Sequence, residues 1–369
     1  MNIHVPPRHD TETSSRLGLA IADGDIHPRP KSSRSLDPYL SSRWQSHLAT
    51  YGMPPRHGYQ SGPLYPKGNP DASRRDAYAP NGDLPGANLS FMREQLLDRY
   101  NVELGILNAI TPAPGNAQNR ELAIALAHAM NAWQQAEWTS QEPRLKASIV
   151  VPYEDGAAAA GEIDAWASHK DFVQVLLMSR TAEPLGQRKY WPIYEAACRN
   201  DIAVGIHAFG YGGYPITGGG WPSYYIEEMS GHSQCCQSVL ASMVLEGVFE
   251  AFPSLRLVLI EAGFAWLPSL VWRLDKHTCK FRSELPHLKR MPSDYIRQNV
   301  WITTQPMEEP NRRRHLNDII EWIGWDRLIF ATDYPHWDFD DPEQALPIRI
   351  DGEQQKKFYR ENARTVYGV

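Results

Sequence analysis

Apolar and polar positions follow a repeating cycle along this chain. Short runs rich in β-branched and aliphatic residues are each followed by a stretch whose apolar positions recur at helical spacing. That cycle is the mark of βα units around a parallel sheet. Eight runs stand out: LAIADGDIH (19–27), VELGILNA (102–109), LKASIVVP (145–152), FVQVLLM (172–178), IAVGIHAF (202–209), LRLVLIEA (255–262), NVWITTQ (299–305) and RLIFATDY (327–334). Helices are expected at 120–138, 233–252 and 311–324, with a last one over 353–368. Eight strands alternating with helices predict an α/β fold of the TIM (β/α)8 barrel type. The rival, an open doubly wound sheet, would carry a glycine-rich phosphate loop after the first strand, where DIHPRPKS stands instead.

Three stretches break the cycle. Residues 1–19 read as a loose polar arm, leaving 20–369 as a single barrel domain. Residues 28–87, rich in Pro, Gly, Tyr and Arg, are too long for an ordinary connection after strand 1. They are expected to form an inserted cover or an oligomer contact, which suggests a homodimer. Residues 210–225, GYGGYPITGGGWPSYY, combine mobile glycines with apolar rings. The stretch reads either as a lid over a substrate or as a packed surface loop.

Composition changes this picture little. Hydrophobic residues make up 42% and charged residues 22%, enough for a sizeable core. A net charge of −6 gives no support for nucleic acid or an anionic membrane as partner. No apolar run approaches the roughly 20 residues of a membrane span, and the start lacks the apolar stretch of a secretory signal. The four cysteines, Cys198, Cys235, Cys236 and Cys279, match no zinc ribbon and suit reduced thiols in a cytoplasmic protein.

The candidate chemistry gathers at strand ends. Asp25 and His27 close the first strand on one face, His207 lies near the end of the fifth, Glu261 ends the sixth, and Asp333 ends the eighth with His336 three residues on. In a barrel these carboxyl ends open on one rim, where the active sites of this fold lie. Each residue alone reads equally well as a structural group, but burying so many charges without a ligand would be costly. Imidazole and carboxylate without thiolate suit a divalent Zn, Mn or Fe ion, one or two per subunit. Arg29 would face the same rim and clamp a substrate carboxylate. Trp221, Tyr224, Tyr225, Trp266 and Trp337 are candidate pocket walls, which favours an aromatic substrate.

The segments DGDIHP, GIHAFG, FPSLRLVLIEAGFAWLPSLVWRLDKH and FATDYPHWD resemble the amidohydrolase superfamily. They fit best its amidohydrolase 2 branch, related to aminocarboxymuconate semialdehyde decarboxylase, from about residue 20 to the C-terminus. The resemblance implies a distorted TIM barrel and a divalent metal at the strand ends. It also implies hydrolysis or non-oxidative decarboxylation of small organic acids. Asp25 and His27 fit the family's acid-x-His motif, His207 its strand-five ligand, and Asp333 its strand-eight aspartate, which binds metal or takes a proton from metal-bound water. Two positions depart from the decarboxylase pattern: Arg29 replaces a second His, and Glu261 replaces a catalytic His on strand six. Glu261 then acts as acid or base, or ligates a second metal, or forms a structural ion pair with Arg29 or Arg180. With a metal held by Asp25, His27, His207, Asp333 and in one reading Glu261, the expected activity is a hydrolase. It would cleave an ester, thioester, lactone or amide through activated water, with Asp333, Glu261 and His207 as catalytic groups. A decarboxylase of an aromatic or unsaturated acid is the first alternative, and a non-catalytic ligand-binding barrel the second.

Overall fold

The structure, a computed structural model, describes residues 18–52, 72–112, 114–116, 119–210 and 215–369. Eight strands form: β1 (Ile21–Ile26), β2 (Val102–Leu107), β3 (Leu145–Val150), β4 (Phe172–Arg180), β5 (Ala203–Gly210), β6 (Leu257–Ile260), β7 (Val300–Thr303) and β8 (Leu328–Ile329). They pair in sequence order, each parallel to the next. The seam between β8 and β1 is closed by backbone bonds rather than a long ladder. Gly24 N–H donates to Phe330 O at 2.9 Å and His27 N–H to Tyr334 O at 2.7 Å, and Ile26 bridges Tyr334 in parallel. Every residue of β1 is buried, as a strand covered on both faces must be. The TIM barrel expected from the alternating pattern is therefore the fold.

The helices that follow the strands cover the outside. Arg120–Gln134 is started by Asn119, whose side chain accepts from Leu122 N–H, and it buries Leu122, Leu126, Met130 and Trp133 against the sheet. Gly156–Trp166 is capped in the same way by Asp155. The segment expected to be helical from 233 starts earlier, as Tyr225–Leu245, so the end of the glycine-rich loop feeds directly into a helix.

Inside the barrel, one buried apolar cluster draws Ala22, Leu104, Val173, Ala203, Val258, Trp301 and Ile329 from seven strands. Residues on opposite sides of a closed sheet can share a cluster only across its lumen. Most of them stand at strand beginnings, and Val366 and Tyr367 of the last helix, Asn362–Tyr367, join them. This end is a dry floor, and the polar groups gather at the other end.

Of the expected insertion, the described part includes the helix Ser42–Tyr51, which buries Trp44; residues 53–71 lie outside the described residues. The expected arm up to residue 17, and residues 211–214 of the expected lid, lie outside them too. Among the described residues, no helix is long and apolar enough to cross a membrane.

Candidate metal centre

The backbone aims its acids by leaving the strand conformation where the strands end. Glu261 has φ 56°, Asp333 φ 58° and Phe209 φ 75°. These left-handed conformations cost a non-glycine residue of order 1–3 kcal/mol each. They stand immediately beyond β6, four residues past β8 and near the end of β5, so three of the six such non-glycine residues among those described lie on the rim.

Asp25, His27 and His207 each place a ligand atom within 4.8 Å of the others, and all three are buried. His27 Nδ1 lies 2.8 Å from Asn108 O, and His207 Nδ1 lies 2.8 Å from Ala208 O. A carbonyl can only accept, so both imidazoles donate through Nδ1, and a neutral ring then carries its lone pair at Nε2. Those Nε2 atoms face anions. His27 Nε2 is 3.2 Å from Asp25 Oδ1 and 2.9 Å from Asp333 Oδ1. His207 Nε2 is 3.4 Å from both Asp25 Oδ2 and Glu261 Oε2.

Asp25 Oδ2, His27 Nε2, His207 Nε2 and Glu261 Oε2 are all buried without a well-directed hydrogen bond. Lone pairs facing lone pairs at this range repel unless positive charge lies between them. Protons can supply that charge. Burial opposes a charged imidazole, but Asp25 and Asp333 outweigh it and raise His27 well above its ordinary range; Glu261 and Asp25 likewise raise His207. Burial would also raise Asp25, but the two imidazoles hold it far below the usual carboxylate range. A divalent cation supplies the charge better, because two neutral imidazoles and carboxylates are the donor set such an ion takes. The residues present fit a metal.

Asp333 and His336 adjoin this set. His336 Nδ1 lies 2.5 Å from Asp333 Oδ1, and the His27 and His336 rings are 4.4 Å apart. Burial, with His27 next, pushes His336 well below its usual range, so this ring is neutral. Burial and the Asp338 carboxylate raise Asp333, while burial and Asp333 raise Glu261.

Several positioning residues escape the sequence pattern. Asn108 holds two ligands at once: its carbonyl takes the His27 ring, and its Nδ2–H donates to Asp25 Oδ1 at 2.8 Å. Behind it, Ser148 donates to Asn108 Oδ1 at 2.7 Å and Gln174 Nε2 to the same oxygen at 3.1 Å. Gly205 is required here, since a Cβ would lie 2.4 Å from the Gln174 side chain. Gln305 Nε2 donates to Asp333 Oδ2 at 3.2 Å, and Thr303 Oγ1 accepts from Glu261 N–H at 3.2 Å. Asp23, two residues before Asp25, accepts from Thr332 N–H and Thr332 Oγ1–H, tying β1 to the chain after β8. Burial pushes Asp23 up to about 7.

The structure thus brings together Asp25, His27, His207, Glu261, Asp333 and His336. Arg29 is not among them. Its N–H donates to Gly86 O at 2.9 Å, and its side chain lines a separate cavity with Lys31, Trp133 and Trp138. Alternation within β1 did not carry past Pro28, so Arg29 does not share the face of Asp25 and His27. Trp221, Tyr224 and Trp337 are exposed, with Trp337 Nε1 donating to Tyr225 OH at 3.1 Å, and Trp266 Nε1 donates to Ala262 O at 2.8 Å. The structural ion pair considered for Glu261 is not made with Arg180, which stands 3.5 Å from Glu228 instead.

The chain resembles the gamma-resorcylate decarboxylase of Rhizobium radiobacter, with 27% identity over 74% of this chain and 86% of that protein. Among solved structures it superposes on the 5-carboxyvanillate decarboxylase of Novosphingobium aromaticivorans complexed with manganese and a nitrobenzoic acid. There the TM-score is 0.71 at 20% identity, over 99% of this chain and all of that one. The dihydroxybenzoic acid decarboxylase of a Polaromonas species, with bound manganese, gives a TM-score of 0.65 at 20% identity over 95% and 97% of the two chains. These relatives overturn the expectation of a hydrolase, because they are decarboxylases. The physical reason is that the same imidazoles and carboxylates can activate water or seat a substrate acid, so the donor set alone does not separate the two reactions. The family described as amidohydrolase matches residues 22–369, and the chain belongs to it.

Proposed function

We propose that this enzyme of the amidohydrolase superfamily is a metal-dependent, non-oxidative decarboxylase of a hydroxylated aromatic acid. Asp25, His27, His207 and Asp333 would hold the metal. Bound there, a divalent ion supplies a fixed positive charge for the substrate's carboxylate and its neighbouring hydroxyl oxygen. Loss of carbon dioxide from a ring requires a proton at the carbon that loses it. Glu261 is the group that can hold this proton. Its Oε2 is buried, has no hydrogen-bond partner and lies 3.4 Å from His207 Nε2, and burial favours the protonated carboxyl. That observation carries the reading.

The proton passes from Glu261 Oε2 to the ring carbon bearing the carboxylate. The bond to the carboxylate then breaks, its electron pair restores the aromatic ring, and carbon dioxide leaves. Glu261 regains its proton from solvent when product departs. A glutamic acid thus takes the place of the histidine expected on strand six in the decarboxylase pattern, without a change in what the position supplies.

The test is carbon dioxide released from a panel of hydroxybenzoates by manganese-loaded protein. Release that stops on chelation, returns with metal, and falls in a Glu261→Gln variant that still binds metal is the expected result. No release from any aromatic acid, or full activity in Glu261→Gln, would overturn the reading.

A further inference from the structure

Asp333 is a metal-centre acid that stands outside the strands. It lies four residues past the end of β8, in a left-handed backbone conformation with φ 58°. Its carboxylate is fixed by side chains instead. Gln305 Nε2–H donates to Oδ2 at 3.2 Å, and His336 Nδ1 lies 2.5 Å from Oδ1. A carboxylate that serves a metal can only accept, so the His336 ring donates through Nδ1. Oδ1 is also the oxygen 2.9 Å from His27 Nε2, so His336 holds the side of Asp333 that faces the other ligands.

His336 is in turn held by the segment inserted after β1. Its own N–H donates to Asp333 O at 2.8 Å, closing a turn that returns the ring to the acid. On either side of it, Arg74 N–H donates to Pro335 O at 2.9 Å and Trp337 N–H donates to Ala72 O at 2.7 Å. Ser73 and His336 therefore face each other in an antiparallel bridge. The Arg74 guanidinium lies 4.3 Å over the Phe339 ring, and two bonds to Asp76, of 2.8 and 2.6 Å, fix it there. Ala72 takes a left-handed φ of 55° at this bridge, a conformation that persists only where the surroundings impose it.

We propose that His336 is a positioning residue for Asp333, and that the inserted segment sets it through the bridge at residues 72–74. The insertion is then part of the assembly of the metal centre. One donor on each oxygen fixes the plane of the carboxylate, and the bridge fixes where the second donor stands. Partners that orient a ligand in this way typically govern metal affinity by 10–100-fold. The proposal rests on the reading of Asp333 as a metal ligand, and not on which reaction the metal serves.

The test is titration of metal-free, full-length protein with manganese, with denaturant unfolding of each variant in parallel. Its outcome is separate from that of the carbon dioxide assay, because no substrate is present. His336→Phe keeps a ring against His27 and removes the N–H, and it should weaken manganese binding about tenfold or more. His336→Asn, whose amide carries an N–H as many bonds from the backbone as Nδ1, should restore affinity to within about threefold of the wild type. His336→Leu replaces His336→Phe if the latter does not fold. Arg74 has φ −65°, the angle a proline ring imposes, so Arg74→Pro removes the bridging N–H without bending the chain. It should bind manganese at least about threefold more weakly than Arg74→Ala, which loses the same side chain and keeps the N–H. No manganese binding by the wild type would overturn the proposal. So would unchanged affinity in the variant lacking the ring N–H, a loss that His336→Asn does not restore, or equal affinity in Arg74→Pro and Arg74→Ala.

Discussion

The two ends of this barrel are built from the same eight strands and follow opposite rules. At the floor, Leu104, Val258, Trp301 and Ile329 fill the lumen with apolar side chains, and Val366 and Tyr367 complete the packing. At the rim, Asp25, His27, His207 and Glu261 are as deeply buried, yet each holds a polar atom without a hydrogen bond, and Glu261 and Asp333 take left-handed backbone conformations. The floor leaves one buried polar atom without a partner, the Tyr367 hydroxyl, and otherwise serves stability. The rim is costly by itself, and that cost is recovered only when positive charge enters. The difference teaches where to look for function in a barrel: at the end whose burial does not pay for itself.

The largest expected effect separates the two ends outright. His207→Ala removes a rim donor, and decarboxylation and stoichiometric metal content should both fall to background, while circular dichroism shows an intact fold. Leu104→Ala, in the floor cluster at 5% exposure, should do the reverse. It should cost about 2–5 kcal/mol in urea unfolding and leave metal content per folded molecule unchanged. Loss of metal from the floor variant, or unfolding of the rim variant, would break the comparison.

A second effect sits between the ends. Asp23 is buried, and burial raises it from 3.8 to about 7. A carboxyl raised on folding contributes stability that is fully present below pH 3.8 and lost as the pH rises through about 7. In metal-free protein, the wild type should therefore lose roughly 4 kcal/mol relative to Asp23→Asn between pH 4 and 7, at about 1.4 kcal/mol per unit. Denaturant unfolding across that range checks it, and parallel pH profiles would contradict it.

How much of this was legible in the sequence follows from the same contrast. The strands could be read because buried parallel strands write themselves as apolar runs, and Asp25, His27, His207, Glu261 and Asp333 stood out as ionisable residues ending such runs. β8 is shorter than its run: beyond Ile329 the chain leaves the ladder, and Thr332 bonds to the Asp23 side chain instead. Asn108, Ser148, Gln174 and Gln305 were invisible, because single amides and hydroxyls carry no spacing signal and acquire a role only once strands meet. Arg29 misled because strand alternation was extended beyond Pro28. Hydrolysis was expected where the relatives decarboxylate, because the donors are common to both.

Those hidden residues supply the next prediction. Asn108→Ala should weaken metal binding about 10–100-fold, as loss of a ligand's supporting partner typically does, and equilibrium titration with manganese measures it. An unchanged affinity would mean that the Asn108 side chain does not orient Asp25; the His27 bond, made to the backbone carbonyl, survives the substitution. The smallest effect is expected at Tyr224, which is 70% exposed. Tyr224→Ala should change stability by less than about 0.5 kcal/mol. A larger loss in thermal unfolding would show that the edge of the rim is packed rather than open.

The most direct test of the account follows the proton. Manganese-loaded protein is incubated with a hydroxybenzoate substrate in heavy water, and the product is read by proton NMR. The account predicts one deuterium at the ring carbon vacated by the carboxylate, formed only with metal bound and lost in Glu261→Gln. Turnover that persists without metal, or product whose vacated carbon carries no solvent deuterium, would contradict it.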